Sequence, residues 1–292
     1  MRDIFISLIS VIIAGAFAWA GSYGGPSFGG FPALMLIAGS GFLIHWIIFL
    51  PSFFSKTEKF YDITGTLAYF VMIGLAVYIA SGSSSLSILS KIIAAMVLVW
   101  ALRLGLFLLI RVFRVGEDKR FSEAKKSFFK FLMFFSLSAL WVFLTTANAL
   151  TLILNNPDIN GVLFLGIGGI IWVIGFLFEV ISDEQKRQFR KKDSNHGQFI
   201  TTGLWSISRH PNYFGEILIW IGMAVISFPV LSGWQYATLI SPLFVILMLT
   251  RVSGINLLEE SADKKWGNLD EYQTYKANTA ALIPFNKSKN KD

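Results

Sequence analysis

Eight apolar segments, most of them long enough to cross a bilayer, constrain the fold of this chain more than any other feature. A membrane-spanning helix needs about 20 consecutive apolar residues, and the 292-residue chain is 54% hydrophobic with only 15% charged residues. A soluble domain carries about 25% charged residues, so this composition excludes an ordinary soluble protein and a disordered chain. We therefore predict an all-α, multi-pass integral membrane protein with about eight transmembrane helices, in a range of about seven to nine. The segments cover residues 4–20, 31–50, 63–80, 92–110, 131–154, 161–181, 217–231 and 234–252.

The seventh segment, 217–231, is short for a span by itself. It reaches spanning length if its helix begins at Pro211, because proline is favoured in the first turn of a helix. Ser232 and Gly233 then predict a tight turn into the last span. The first segment resembles a signal peptide in its flanks, but further spans follow it, so we favour an uncleaved helix.

Basic loops alternate with neutral ones, and this alternation predicts the orientation of the chain. By the positive-inside rule, both termini and all the long loops are cytoplasmic. The net charge of +7 is then a consequence of topology, and we expect membrane lipids rather than nucleic acid as partners. With no cysteine and only three histidines, the sequence predicts no metal site. The basic segments are 51–62, 111–130, 182–216 and the tail from 251, and the neutral or nearly neutral ones are 21–30, 81–91 (with only Lys91), 155–160 and 232–233.

Two stretches place charge at membrane depth, where an unpaired charge is costly. Arg103 lies inside the fourth segment, and we interpret it as a cation that holds an anion, with snorkelling as the alternative. A helix that continues beyond the sixth segment places Glu179, Asp183, Lys186 and Arg190 on one face. We interpret the bases as phosphate ligands and the acids as ligands of ribose hydroxyls. The alternative is a self-neutralising ladder of charges on a helix surface.

The densest polar block covers residues 208–216 and leads directly into the seventh span. The first turn of a helix presents unpaired N–H groups and a partial positive charge, which predicts an anion site beside the two bases. The amide and carboxylate in the block suit hydroxyl or amide groups of a ligand. The alternative is an interfacial anchor with an aromatic belt. The polar members are Arg209, His210, Asn212, Tyr213 and Glu216.

The segment after the last span is amphipathic and predicted to be cytoplasmic. It is typical either of a helix at the membrane surface or of a lid over a cofactor. Its acids Glu259 and Glu260 suit a ribose or an amine better than a phosphate.

Together these motifs resemble the bacterial DUF1295 family, which is related to the steroid 5α-reductases and sterol reductases. The resemblance covers most of the chain, roughly residues 40–285. The block Ser-Arg-His-Pro-Asn-Tyr-Phe-Gly-Glu is specific for the wider superfamily, and the Asp-Glu-Gln-Lys block for its reductase-like branch. The matching motifs are Trp100–Gly105, Gly116–Phe121, Asp183–Lys186, Gly203–Trp205, Ser208–Glu216, Val252–Gly254 and Leu258–Glu259.

The resemblance implies a membrane enzyme that holds NADPH at the cytoplasmic side of its later helices. Its reaction would be the reduction of a carbon–carbon double bond conjugated to a ketone, in a lipid or steroid-like substrate that enters from the bilayer. We expect such an oxidoreductase to act as a monomer. By position, the implied cofactor ligands are Arg103, Asp183, Lys186, Arg187, Arg190, Arg209, His210, Asn212, Tyr213, Glu216 and Glu259.

The sequence departs from the reductases where they hold the ketone with a Glu and a Tyr. Phe49 precedes the stretch that resembles the neighbourhood of that Glu, and Trp100 occupies the position of the Tyr. We expect Trp100, Tyr61 and Glu58 to take the catalytic role instead.

Two other functions are compatible with these motifs. The isoprenylcysteine and phospholipid methyltransferases share the Arg-His-Pro block and bind S-adenosylmethionine in the same place. S-adenosylmethionine has no phosphate, so the bases at 186, 187 and 190 favour NADPH. A lipid-binding membrane protein that kept only the scaffold would bind neither NADPH nor S-adenosylmethionine.

We expect a single membrane domain over residues 1–292, in a bacterial inner membrane. Within it, residues 1–110 would form the lipid-substrate side and residues 111–285 the cofactor-binding half. Residues 286–292 would form a disordered tail.

Overall fold

The computed structural model describes residues 1–82, 84–115, 121–158 and 162–285, and most of them are helical. Within this part of the chain, eight helices are long and apolar enough to cross a membrane. The predicted all-α, multi-pass membrane fold is therefore confirmed. The orientation of the termini stays a prediction, and the expected tail 286–292 and the motif residues 116–120 lie outside the described residues.

The first five spanning helices are α1 (Arg2–Gly21), α2 (Ala33–Phe54), α3 (Tyr61–Ser81), α4 (Ile88–Val115) and α5 (Phe128–Asn155). They are followed by α6 (Val162–Lys191) and α7 (Pro211–Ser227), which a 3₁₀ turn (Phe228–Val230) extends. The last span combines a 3₁₀ helix (Gly233–Leu239), α8 (Ile240–Leu247) and a π-helical turn (Met248–Val252). Two polar helices, α9 (Ile255–Trp266) and α10 (Asp270–Asn278), come after it.

Shorter elements connect these helices. A two-residue Gly-Gly turn joins the antiparallel strands β1 (Ser27–Phe28) and β2 (Phe31–Pro32), and both glycines have a positive φ that favours glycine. Further 3₁₀ turns cover Ala124–Lys126, Asp193–Asn195 and Gly203–Ser206. The seventh span begins at Pro211, which confirms the predicted start of that helix.

The chain forms two compact units. Unit 1 consists of Met1–Val162 and Ser227–Ser241, and unit 2 consists of Leu163–Ile226 and Pro242–Asp292. Unit 1 therefore contains α1 to α5, and unit 2 contains α6, α7, α9 and α10.

Helix α5 is the central helix of unit 1, because it packs against α1, α2, α3 and α4. Buried polar side chains join the helices, as expected where no water competes. The imidazole of His45 lies 2.7 Å from the Gly41 carbonyl oxygen and 3.0 Å from Ser138 Oγ. His45 is therefore a hydrogen-bonded packing residue.

In unit 2, α6 and α7 approach each other at two pairs of glycines. A Cβ atom on Gly175 would lie 2.6 Å from the Gly215 carbonyl oxygen, and one on Gly168 would lie 2.6 Å from that of Gly222. Backbones come this close only where small residues remove the side-chain barrier. The contact sets the polar continuation of α6 beside the start of α7, where the predicted site residues lie.

Candidate functional site

Arg209 and Glu259 form a buried, two-pronged ion pair in unit 2. The guanidinium donates from Nε to Glu259 Oε1 at 3.1 Å and from Nη2 to Oε2 at 2.9 Å. Only 12% of the arginine side chain and 18% of the glutamate side chain is exposed. Two parallel charge-assisted hydrogen bonds fix orientation as well as distance. The pair therefore joins the 208–216 block to α9.

The remaining contacts of Arg209 hold the C-terminal segment. Its Nη1 donates to the Lys276 carbonyl oxygen at 2.8 Å and also to that of Thr279. Its backbone N–H donates to the Ala280 carbonyl oxygen at 2.8 Å. Nearby, Ser208 Oγ donates to the Leu282 carbonyl oxygen at 2.7 Å. With the two bonds to Glu259, these contacts use four of the five guanidinium protons. Arg209 therefore acts first as a residue that fastens α9 and the chain end.

His210 completes this network by contacting the same carboxylate oxygen of Glu259 as Arg209 Nε. Its Nε2 lies 2.8 Å from Glu259 Oε1, and a carboxylate only accepts, so Nε2 carries the proton. Burial lowers the pKa of His210 below its usual value, although the hydrogen bond and the charge of Glu259 oppose the shift. A neutral ring with Nδ1 free of its proton follows. The ring stacks on Tyr213, with the centroids 5.8 Å apart.

Asp183 and Asn212 bring the acidic face of α6 to the first turn of α7. Asn212 Nδ2 donates to Asp183 Oδ1 at 3.3 Å, and the glycine contacts of the two helices hold them at this separation. Glu179 and Asp183 are buried, Lys186 is half-buried and Arg190 is exposed. The charged face predicted on this helix thus runs from the interior to the surface.

Lys186 lies over the indole of Trp205, with Nζ 4.3 Å from the ring centroid. Trp205 is buried and donates from Nε1 to the Ser182 carbonyl oxygen at 3.0 Å. Tyr275 OH donates to the Trp205 carbonyl oxygen at 2.6 Å, and burial raises the pKa of Tyr275. Tyr275 therefore stays protonated. The hydrogen bonds of Trp205 fix the position of its ring, and this ring holds the Lys186 ammonium through a cation–π contact.

A glycine with positive φ shapes the loop before this tryptophan. Gly203 has φ +64, and a Cβ there would meet the side-chain amide of Gln185. Gln185 Oε1 in turn accepts from the Leu204 N–H at 2.9 Å. Gln185 belongs to the Asp-Glu-Gln-Lys block, and its role in the loop was not predicted.

The other predicted ligands in unit 2 lie at its surface or edge. Arg187 makes a two-pronged pair with Glu184, with both nitrogen–oxygen distances 2.6 Å. Glu216 is half-buried one turn into α7. The structure therefore brings seven predicted ligands into one region and leaves Arg187 in a local pair. The seven are Asp183, Lys186, Arg209, His210, Asn212, Tyr213 and Glu259.

Arg103 and the three predicted catalytic residues belong to unit 1. The Arg103 guanidinium lies 5.4 Å from the ring centroid of Phe107, one turn along α4. Trp100 is fully buried and packs edge-on against Tyr69, with centroids 5.2 Å apart. Tyr69 OH lies 3.0 Å from Thr145 Oγ1, and no sequence pattern indicated this buried phenol.

Tyr61 and Glu58 lie close together at the start of α3. Tyr61 OH donates to the Phe134 carbonyl oxygen at 3.1 Å, and Glu58 accepts from Lys125 Nζ at 3.0 Å with 6% of its side chain exposed. Tyr61 also packs on Phe121 in a cluster of phenylalanines. Their catalytic role stays a prediction.

Metal ligands are not grouped in the part of the chain that the structure describes. No cluster of three or more His, Cys, Asp or Glu side chains there could hold an ion.

Comparison with known proteins identifies the family. The family described as "Protein of unknown function (DUF1295)" matches residues 48–279, which is most of the chain. The chain belongs to the DUF1295 family. No solved structure matches this DUF1295 protein significantly.

Curated relatives match this DUF1295 protein over shorter stretches. The 3-oxo-5-alpha-steroid 4-dehydrogenase 1 of Bos taurus is 34% identical over 70 residues, 24% of this chain and 27% of the relative. That of Mus musculus is 25% identical over 118 residues, 40% of this chain and 41% of the relative. The probable O-methyltransferase ustE of Ustilaginoidea virens is 32% identical over 74 residues, 25% of this chain and 26% of the relative. The chain therefore spans less than half the length of each of these relatives.

Proposed function

We propose that this DUF1295 protein is an NADPH-dependent membrane reductase that acts on a carbon–carbon double bond conjugated to a ketone in a lipid. The observation that carries the proposal is the network in unit 2, where buried acids, an amide and a half-buried cation converge on the start of α7. The partial similarity to 3-oxo-5-alpha-steroid 4-dehydrogenases supports the same reaction class.

The donor set of this network fits a phosphorylated dinucleotide. Lys186 and the exposed Arg190 offer positive charge along one helix face, as phosphates require. Asp183 and Asn212 offer a carboxylate and an amide, which suit ribose hydroxyls and a carboxamide. The first-turn N–H groups of α7 add partial positive charge. When bound, the cofactor would supply the hydride.

Arg209, His210 and Glu259 have a positioning role in this proposal. Their mutual bonds hold α9 and the C-terminal segment against the start of α7. This arrangement would keep Asn212 and Tyr213 in place while a ligand binds and leaves. In this proposal the C-terminal segment covers the cofactor and is held in place by these bonds.

The substrate proposed here is a lipid or steroid-like ketone taken from the bilayer. The printed name of the relatives describes a dehydrogenase that acts at position 4 of 3-oxo steroids, and its reverse is the reduction of a conjugated double bond. A hydrogen-bond donor near the ketone oxygen would stabilise the enolate that develops. We propose Trp100 or Tyr61 as this donor and keep Glu58, which accepts from Lys125 Nζ, as the third candidate catalytic residue.

The arrangement in the membrane is part of the proposal. Both termini and the long loops would be cytoplasmic, where the nucleotide is present, since their basic residues favour that side. We propose a monomer in a bacterial inner membrane. Residues 1–110 would form the lipid side and residues 111–285 the cofactor half.

Calorimetric titration of the detergent-purified protein with NADPH and, separately, with S-adenosylmethionine tests the proposal. We expect NADPH to bind and S-adenosylmethionine not to bind. Asn212→Ala should weaken NADPH binding about tenfold, the value of one hydrogen bond to a charged or polar group. The control is Asn278→Ala, which removes an exposed amide of α10 that donates to the Thr274 carbonyl oxygen. If Asn212→Ala binds NADPH like wild type, the Asn212 amide is not a cofactor ligand.

An S-adenosylmethionine-dependent methyltransferase is the second candidate, because the probable O-methyltransferase ustE matches about as well as the reductases over a short stretch. Binding of S-adenosylmethionine alone would establish this function and reject the reductase. Binding of neither NADPH nor S-adenosylmethionine would favour a lipid-binding protein without catalysis.

A further inference from the structure

Asn148 is a fully buried amide in the middle of the central helix of unit 1. None of its side chain is exposed, and neither Nδ2 nor Oδ1 has a hydrogen-bond partner among the described residues. It lies on α5, a helix that is long and apolar enough to span the membrane. An amide without a partner in such surroundings costs several kcal/mol, so its presence calls for a physical reason.

The polar neighbours of Asn148 on the same helix are all satisfied. Thr146 Oγ1 donates to the Val142 carbonyl oxygen at 2.6 Å, and Thr151 Oγ1 donates to that of Ala147 at 2.8 Å. Thr145 Oγ1 lies 3.0 Å from Tyr69 OH. Threonine side chains satisfy themselves on the helix backbone, whereas the Asn148 amide does not. Asn148 is therefore the exception among these polar side chains of α5.

We propose that Asn148 is the hydrogen-bonding anchor for an uncharged oxygen, a carbonyl or a hydroxyl, on an otherwise apolar membrane ligand. The amide has two donor protons and an acceptor oxygen, so it pairs with either group. The apolar stretch 131–154 that surrounds it along α5 contains no charged residue, which favours a neutral ligand. The usual role of an asparagine in a spanning helix is a hydrogen bond to a neighbouring helix, and Asn148 makes no such bond among the described residues.

The assignment of the ligand as a lipid ketone rests on the proposed function. The anchor would then act on the oxygen of the lipid substrate and give affinity for oxygenated over plain hydrocarbon lipids. It is a binding residue, and the proposal gives it no part in the chemical step.

Equilibrium binding of two labelled sterols to the full chain in lipid nanodiscs tests the anchor. Cholest-4-en-3-one carries one ketone oxygen, and cholest-4-ene has the same skeleton without it. Wild type should prefer the ketone about tenfold, the value of one uncharged hydrogen bond. Asn148→Leu should bind both sterols equally, and its unfolding midpoint without ligand should rise, since an apolar side chain removes an unpaired buried amide. The control Thr151→Val, one turn away, should keep the preference.

Three results would overturn the anchor. One is a wild-type protein without any preference for the ketone, and another is an Asn148→Leu variant that keeps the preference. The third is a lower unfolding midpoint for Asn148→Leu, which would mean that the amide is already paired without ligand. NADPH titration of the same samples separates the two proposals. Loss of the ketone preference in Asn148→Leu supports the anchor even if wild type fails to bind NADPH, and that failure rejects only the reductase.

Discussion

Arg209 and Glu259 are joined by two parallel hydrogen bonds, of 3.1 and 2.9 Å, across 50 residues of sequence. The same guanidinium holds two backbone carbonyls of the C-terminal segment. A phosphate ligand would have to compete with these bonds. We therefore regard the pair as the fastening of the proposed cofactor half rather than as its main phosphate contact.

Replacement of Arg209 by lysine should loosen the C-terminal segment. Lysine keeps the charge but cannot make a planar, two-pronged pair and reach two carbonyls at once. We expect faster proteolysis after residue 253 and a lower unfolding midpoint for unit 2. The matched control is Arg251→Lys, at an exposed arginine of the same unit. Equal proteolysis of both variants would show that the Arg209 bonds do not hold the chain end.

His210 should make the protein less stable as the pH falls. Burial lowers the pKa of His210 in the folded state, so below pH about 6.5 the unfolded chain binds a proton that the folded chain excludes. Stability falls from there until the pH reaches the folded pKa, by at most about 1.4 kcal/mol per pH unit. His210→Gln keeps an N–H donor for Glu259 without this titration. The thermal unfolding midpoint should therefore decrease less between pH 7.5 and pH 5.5 in His210→Gln than in wild type.

The two faces of α6 should respond differently to an added methyl group. Gly168→Ala would place a Cβ 2.6 Å from the Gly222 carbonyl oxygen, whereas the neighbouring Gly169 has open space at that position. Forcing the helices apart should cost about 1–3 kcal/mol, and Gly169→Ala should be neutral or slightly stabilising. Thermal unfolding of the two variants in the same detergent measures the difference. Identical unfolding midpoints would mean that α6 and α7 accommodate the added methyl group without loss of stability.

The fold could be predicted from sequence further than the site. Spanning helices satisfy their own backbone hydrogen-bonding groups, so hydropathy alone locates them. Pro211 predicts the start of α7 because proline is favoured in the first turn of a helix. The helical spacing also placed Glu179, Asp183, Lys186 and Arg190 on one face that runs from the interior to the surface.

The contacts that the sequence could not predict are mostly hydrogen bonds to backbone carbonyl groups, which every residue type carries. The carbonyls that bind Arg209 lie 67 and 70 residues further along the chain, and any residue type could supply them. For the same reason, the bond from Tyr61 OH to a backbone carbonyl of α5 could not be foreseen when Tyr61 was assigned a catalytic role. An asparagine in a spanning helix commonly bonds a neighbouring helix, but neither amide atom of Asn148 has a partner among the described residues.

Tyr275 should control the cation at Lys186 through Trp205. The phenol donates to the Trp205 carbonyl oxygen at 2.6 Å, and burial raises its pKa, so this bond persists across the physiological pH range. Tyr275→Phe removes it at a cost of about 1 kcal/mol and leaves the ring in place. If Trp205 then shifts, Lys186 loses its aromatic support, and NADPH should bind several-fold more weakly. Tyr236→Phe, at an exposed tyrosine of unit 1, is the control. If Tyr275→Phe unfolds at a lower temperature but binds NADPH like wild type, Tyr275 contributes to stability only and has no effect on the proposed cofactor site.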